Sequence, residues 1–161
     1  METALIRPIS PKDNVAVAQL IRTVLLDFGV PKVGSAYADV SLDSLYQHYQ
    51  LPRSAFYVVE LQGTLAGCAG LGPLEGYPGN CCELQKMYFS ESARGLGLGA
   101  KMIDRCLAKA RKFGFQQCYL ETMPNMESAQ KLYLRFGFDY IDGPLGNTGH
   151  HACTVHMLKT L

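Results

Sequence analysis

Two hydrophobic periods take turns along this chain. Val17, Leu20, Ile21, Val24, Leu25 and Phe28 recur every three or four residues, the spacing of one helical face, and Gly29 ends the run. Just upstream, Ser10, Pro11 and Asp13 make a helix-start signature: a capping serine, a proline suited to the first helical position and an acid placed for a capping box. A second apolar stripe, Leu98, Met102, Cys106, Leu107, Ala110 and Phe113, predicts a helix over 97–113. Its opposite face carries Lys101, Asp104, Arg105, Lys109 and Lys112. Ala129, Leu132, Tyr133 and Phe136 predict a third helix over 126–136, ended by Gly137, and residues 42–50 predict a short one. Between the helices, runs at 5–8, 55–61, 64–71, 82–89, 117–122, 138–141 and 153–158 read as strands. Gln62-Gly63 joins two of them as a hairpin.

The order is strand, two helices, three strands, helix, strand, helix, two strands. It predicts a mixed α/β sheet with helices packed against it. The strand-helix-strand unit at 82–122 predicts a right-handed parallel crossover. At 161 residues, with no repeat, linker or low-complexity segment, the chain reads as one domain, 1–161.

Composition narrows the partners. The chain is 48% hydrophobic and 18% charged, a globular balance, and its net charge of +1 gives no reason to expect a nucleic-acid surface. No apolar run approaches the roughly 20 residues that span a bilayer. The stretch Met1–Arg7 is too short and too polar to read as a signal peptide. Six cysteines, Cys68, Cys81, Cys82, Cys106, Cys118 and Cys153, include no C-x-x-C pair. Reduced thiols in a cytoplasmic protein are the expectation. Adjacent Cys81 and Cys82 point to opposite faces of a strand and do not pair with each other.

Chemistry enters at Arg94-Gly95-Leu96-Gly97-Leu98-Gly99, which follows the strand-like run Glu83–Phe89 and opens the helix over 97–113. Alternate glycines at a strand-to-helix junction let backbone N–H groups converge, and the helix adds the positive end of its dipole. Such a loop is built to hold an anion such as a phosphate or pyrophosphate. The Lys-Ser/Thr of a P-loop and the repeated βα units of a dinucleotide fold are both missing, which disfavours a nucleotide-binding protein.

With Arg94-x-x-Gly97-x-Gly99 in this element order, the chain resembles the GNAT superfamily of N-acetyltransferases. Ala129-Gln-Lys-Leu-Tyr133 followed by Phe136-Gly-Phe138 resembles the family's later A-x-x-x-Y … GF block. The resemblance covers nearly the whole chain. It implies an α/β (mixed α+β) fold: a mixed, mostly antiparallel twisted sheet of about seven strands, flanked by about four helices. It also implies acetyl-CoA as co-substrate, with no metal. Backbone groups from Leu96 to Ala100, through Gly97, Leu98 and Gly99, are expected to cradle the pyrophosphate, with Arg94 and Gly95 beside it. The fourth and fifth strands are expected to splay, and the pantetheine arm to pair with main chain around Met87, Tyr88 and Phe89. Many members carry an Asn where this chain has Met126; here the Asn is Asn125, read either as a pantetheine contact or as the helix N-cap.

Acetyl transfer to an amine needs a base near the nitrogen, because an amine with a pKa of about 10 is mostly protonated at neutral pH. Glu83 is the first candidate base, directly or through a water, and Glu121 the second. Tyr133 is the candidate donor to the departing sulfur. Tyr37, Glu121, Asn147 and His150 are candidates for the acceptor site, together with Thr148 and His151 of the Gly-rich loop at 143–151 and with Tyr57 and Tyr77. Cys153 two residues after His151 raises a testable acyl-cysteine route. A His150, His151 and His156 metal site has no supporting carboxylate or cysteine pattern. The acceptor is expected to be a small-molecule or peptide amine, and a homodimer is common in the family. The rival reading is a module that binds acyl-CoA as a sensor without useful turnover.

Overall fold

Phe56 and Val58 pack into one hydrophobic cluster while their neighbours Tyr57 and Val59 pack into another, so the strand that carries them is buried on both faces. The computed structural model describes residues 3–161; Met1 and Glu2, part of the N-terminal signal reading, lie outside the described residues. The elements run β1 Ala4–Pro8, α1 Asn14–Asp27, α2 Leu45–His48, β2 Ala55–Leu61, β3 Thr64–Pro73, β4 Cys81–Phe89, α3 Leu98–Lys112, β5 Gln117–Thr122, α4 Glu127–Arg135, β6 Asp139–Ile141 and β7 Val155–Thr160. The seven strands form one sheet in the order β1-β2-β3-β4-β5-β7-β6. Every neighbouring pair is antiparallel except β4 and β5, which α3 connects as a parallel crossover.

Each face of the sheet has its own core. Val17, Ile21 and Leu25 of α1 meet Leu42, Leu45 and Tyr49 on one side. Met102, Ile103, Cys106 and Leu107 of α3 and Tyr133 of α4 meet the other. Cys81 and Cys82 fall in different clusters, as adjacent strand residues must, and all six cysteines are free. Among the described residues, no helix is long and apolar enough to cross a membrane.

Several boundaries differ from the sequence reading. The expected helix over 42–50 is broken: a 3-10 turn over Val40–Asp43 precedes α2, and Ser44 between them leaves the helical region, with φ −140° and ψ 45°. The last strand starts at Val155 rather than Cys153, so Cys153 and His151 lie in the loop and do not share a strand face; the Cys153 amide instead donates to the His150 carbonyl at 2.9 Å. Asn125 is not the cap of α4. Met126 holds that position, and the Asn125 amide reaches across to the Phe28 carbonyl at the end of α1, 2.8 Å away.

Candidate active site

The sheet opens where β4 and β5 part. Their parallel pairing covers only Cys81–Gln117, Cys82–Cys118 and Glu83–Tyr119. Beyond Glu83 the two strands diverge. On the opposite side, β4 carries a bulge against β3: Cys68 pairs with Tyr88 and Gly70 with Gln85, leaving Lys86 and Met87 against the single residue Ala69. Lys86 sits there in the left-handed region, φ +51°. The gap is a slot lined by Met87 and Tyr88 from β4, Leu120 and Thr122 from β5, and Ala129 and Tyr133 from α4.

The glycine loop lies at the far end of β4. Gly97 caps α3 with φ +74°, and Gly95 has φ +78°. A side-chain carbon added at either would meet nothing within 4 Å, so the space above this backbone is open. The first-turn N–H groups of α3, from Leu98 to Ala100, have no earlier carbonyl of the helix to bond. Gly99 is different in kind: a Cβ there would come 2.8 Å from Leu132, so its smallness brings α3 against α4. Arg94 donates to the Phe89 carbonyl at 3.1 and 3.2 Å and stacks over the Phe28 ring, which ties the loop to the end of β4. Open left-handed glycines, free helix amides and a slot between two strands fit a pyrophosphate with an extended arm.

On the other side of β4 lies an open cleft of about 960 Å³, with Glu83, Gln85 and Lys86 in its floor and Tyr49, Asp39, Thr148 and His150 around it. Glu83 and Gln85 share a strand face by their two-residue spacing, and the Gln85 amide donates to the Glu83 carboxylate at 2.8 Å. Glu83 is 6% exposed. Burial pushes its carboxyl up to about 7, helped by the nearby Glu121 charge and opposed by the Gln85 hydrogen bond and by His150 and Lys86.

The 143–153 loop closes over this floor. His150 Nε2 meets Asp39 Oδ1 at 2.7 Å, and the other Asp39 oxygen takes Lys86 Nζ at 2.7 Å. Burial alone would raise Asp39, but the His150 hydrogen bond and the Lys86 charge outweigh it and hold the carboxylate below its usual range. Glu121 accepts from the Tyr119 and Thr148 hydroxyls, so it is already engaged on both oxygens. Glu83, Glu121 and His150 present donor atoms within 4.8 Å of one another. That group, rather than the three histidines, is where titratable side chains converge. Each member also bonds to a protein partner: Glu121 to Tyr119 and Thr148, His150 to Asp39, and Glu83 to Gln85.

The other candidates fall elsewhere. Tyr133 is buried beside Phe138 and lines the slot, and burial holds its phenol above the ordinary value. Tyr37 packs between Arg22 and Lys32, and Tyr57 lies under Arg105; neither lines the cleft. Tyr77 packs beside Leu74, Cys81 and Tyr119. Asn147 faces the Glu75 segment through its backbone, and its neighbour Thr148 reaches the site instead. The His151 ring rests against Gly34. Burial first, then the charges of Glu121 and Glu83, push the Cys153 thiol up to about 11, which works against an acyl-cysteine route. Asp39, Lys86, Tyr49 and Gln85 were absent from the sequence reading. Only Gln85 carried a local signal, two residues from Glu83.

Known proteins share both the sequence pattern and this architecture. A sequence model of the acetyltransferase (GNAT) family matches residues 21–138. The chain is 42% identical over 161 residues to a protein of Escherichia coli (strain K12) called uncharacterized N-acetyltransferase YjgM, covering 99% of this chain and 96% of that one. A GNAT-family acetyltransferase from Staphylococcus aureus Mu50 has the same fold, with a TM-score of 0.87 at 20% identity over 99% of both chains. The structure of yncA, a putative acetyltransferase from Salmonella typhimurium with its cofactor acetyl-CoA, aligns with a TM-score of 0.78 at 20% identity, covering 99% of this chain and 94% of that one.

Proposed function

This chain belongs to the acetyltransferase (GNAT) family, and we propose that it moves an acetyl group from acetyl-CoA directly to the amine of a small molecule or peptide. Acetyl-CoA, when bound, supplies an acetyl group already activated as a thioester, so no protein nucleophile is needed. The backbone from Gly95 to Ala100 holds the pyrophosphate, and the β4–β5 slot takes the pantetheine arm beside Met87, Tyr88 and Phe89. The acceptor enters through the cleft on the Glu83 side.

One observation carries the reading: a buried carboxyl, Glu83, lies in the floor of the cleft at the last position where β4 still pairs with β5, and burial pushes it up to about 7. A base poised near the working pH takes a proton most effectively. Glu83 therefore removes the proton from the amine nitrogen as it attacks. Tyr133, kept protonated by burial, donates to the departing sulfur. His150 and Thr148 border the acceptor's path, and Asp39 holds His150 in place. Lys86, the lysine that lines the cleft, and the His150 imidazole both bond to Asp39. That disfavours an acceptor needing a free cation for its own carboxylate. Free thiols buried in the core suit a cytoplasmic setting.

A sensor that binds acyl-CoA without turnover has no use for a neutral-range base and a protonated phenol flanking the same junction. The experiment is amine-dependent release of free CoA by the whole protein, compared with Glu83→Gln.

A further inference from the structure

A chain of hydrogen bonds runs behind Glu83, and no part of it belongs to the acetyl-CoA side. The Tyr49 hydroxyl donates to Oε1 of Gln85, and Nε2 of Gln85 donates to Oε1 of Glu83 at 2.8 Å. All three side chains line the acceptor cleft. Tyr49 is only 4% exposed and packs on Phe56, with ring centroids 4.9 Å apart. Gly70, on the neighbouring strand, makes room for the pair: a Cβ there would come 2.7 Å from the Phe56 ring and 2.9 Å from the Tyr49 ring.

The polarity of this chain follows from its members. A glutamine amide has one accepting end and one donating end. With the hydroxyl of Tyr49 given to the carbonyl end, the NH₂ end must face Glu83. A carboxylate accepts that bond, whereas the O–H of a carboxylic acid would find a donor opposite it. The amide thus favours the ionised form of an acid that burial otherwise pushes toward the neutral one.

We propose that Tyr49 and Gln85 are positioning residues for Glu83: Tyr49 sets the orientation of the Gln85 amide, and the amide holds one carboxylate oxygen and keeps the group a proton acceptor. The role rests on Glu83 being the base, and it is exercised entirely through Gln85. Other groups also face Glu83. Glu121 and Tyr119 approach from β5, His150 and Cys153 from the closing loop, and Lys86 and Cys81 from β4 itself. None of these takes part in the Tyr49–Gln85–Glu83 chain, so their fields stay in place when that chain is cut.

The test is a carbon-13 NMR titration of glutamate-labelled protein, with the Glu83 carboxyl signal assigned by its loss in Glu83→Gln. The wild type is expected to titrate near 7. Gln85→Leu moves the midpoint up by about one pH unit, the size expected for losing one hydrogen bond to a charged group. Tyr49→Phe keeps the packed ring and moves it in the same direction. The double variant moves it no further than Gln85→Leu alone. An unmoved midpoint in Tyr49→Phe, or a double variant showing the sum of two separate shifts, overturns the proposal. Thermal melts of each variant confirm folding, and if Gln85→Leu does not fold, Tyr49→Phe decides alone. The titration needs no acceptor, so it fails separately from the base assignment, which stands or falls on the turnover of Glu83→Gln.

Discussion

His150 Nε2 and Asp39 Oδ1, 111 positions apart in sequence, meet at 2.7 Å and pin the closing loop to the turn before α2. Burial alone would push the imidazole down, but the Asp39 hydrogen bond and charge outweigh it and raise the net value. A raised histidine contributes stability that is fully present below its unfolded value of about 6.5 and is lost as pH rises through the folded one. In Asp39→Asn the burial and the Lys86 charge remain, and both lower it. The His150 imidazole is expected to titrate above 6.5 by proton NMR in the wild type and below it in Asp39→Asn.

Gly97 tests the donor site. Its φ of +74° suits glycine, and a β-branched residue there meets strain of about 1–2 kcal/mol while its side chain fills the open space above the loop. Calorimetry is expected to show Gly97→Val binding acetyl-CoA at least about tenfold more weakly. Unchanged affinity would remove the loop from the cradle.

Tyr133 separates binding from chemistry. The ring packs in the core beside Phe138, so Tyr133→Phe keeps its shape and loses one proton donor. Turnover is expected to fall by about 10² or more, the scale of a general acid, with acetyl-CoA affinity within a few fold. Wild-type turnover would take Tyr133 out of the reaction.

How much of this was legible beforehand follows from distance along the chain. The glycine loop, the A-x-x-x-Y block and the β4–α3–β5 crossover are local patterns, and each element formed where the periodicity placed it. Glu83 was visible because the resemblance implied acetyl transfer, that chemistry asks for a base, and this carboxylate heads the strand-like run 83–89. Asp39, Lys86 and Tyr49 were not, because their roles depend on partners brought together only by the folded sheet. The bulge that turns Lys86 toward Asp39 leaves no mark in an alternating strand pattern. Asn125 misled for the same reason: its local reading was a cap, but its partner is the Phe28 carbonyl 97 residues away. Ile103 was missed from the α3 stripe although it is fully buried, since the stripe is wider than the positions counted.

A stability prediction concerns Asp13. Its carboxylate takes two hydrogen bonds from Arg7, at 2.8 and 3.0 Å, and one from the Ser10 amide at 2.8 Å. The Arg7 bonds are the largest influence and, against the cost of burial, hold it down at about 2. A depressed acid contributes stability that is present above its unfolded value, here 3.8, and is lost as pH falls toward 2. The shift corresponds to on the order of 2 kcal/mol. Denaturant unfolding from pH 7 downward is expected to show Arg7→Ala already weakened at neutral pH, with less further loss between about 4 and 2 than the wild type.

The central claim is acetyl transfer with Glu83 as the base, and free-CoA release across a panel of amines measures it most directly. The wild type is expected to release CoA with at least one amine. With that amine, Glu83→Gln should lower kcat/KM by about 10² or more while still binding acetyl-CoA. Tight acetyl-CoA binding with no amine-dependent release across the panel would contradict catalysis, and full release by Glu83→Gln would contradict the base.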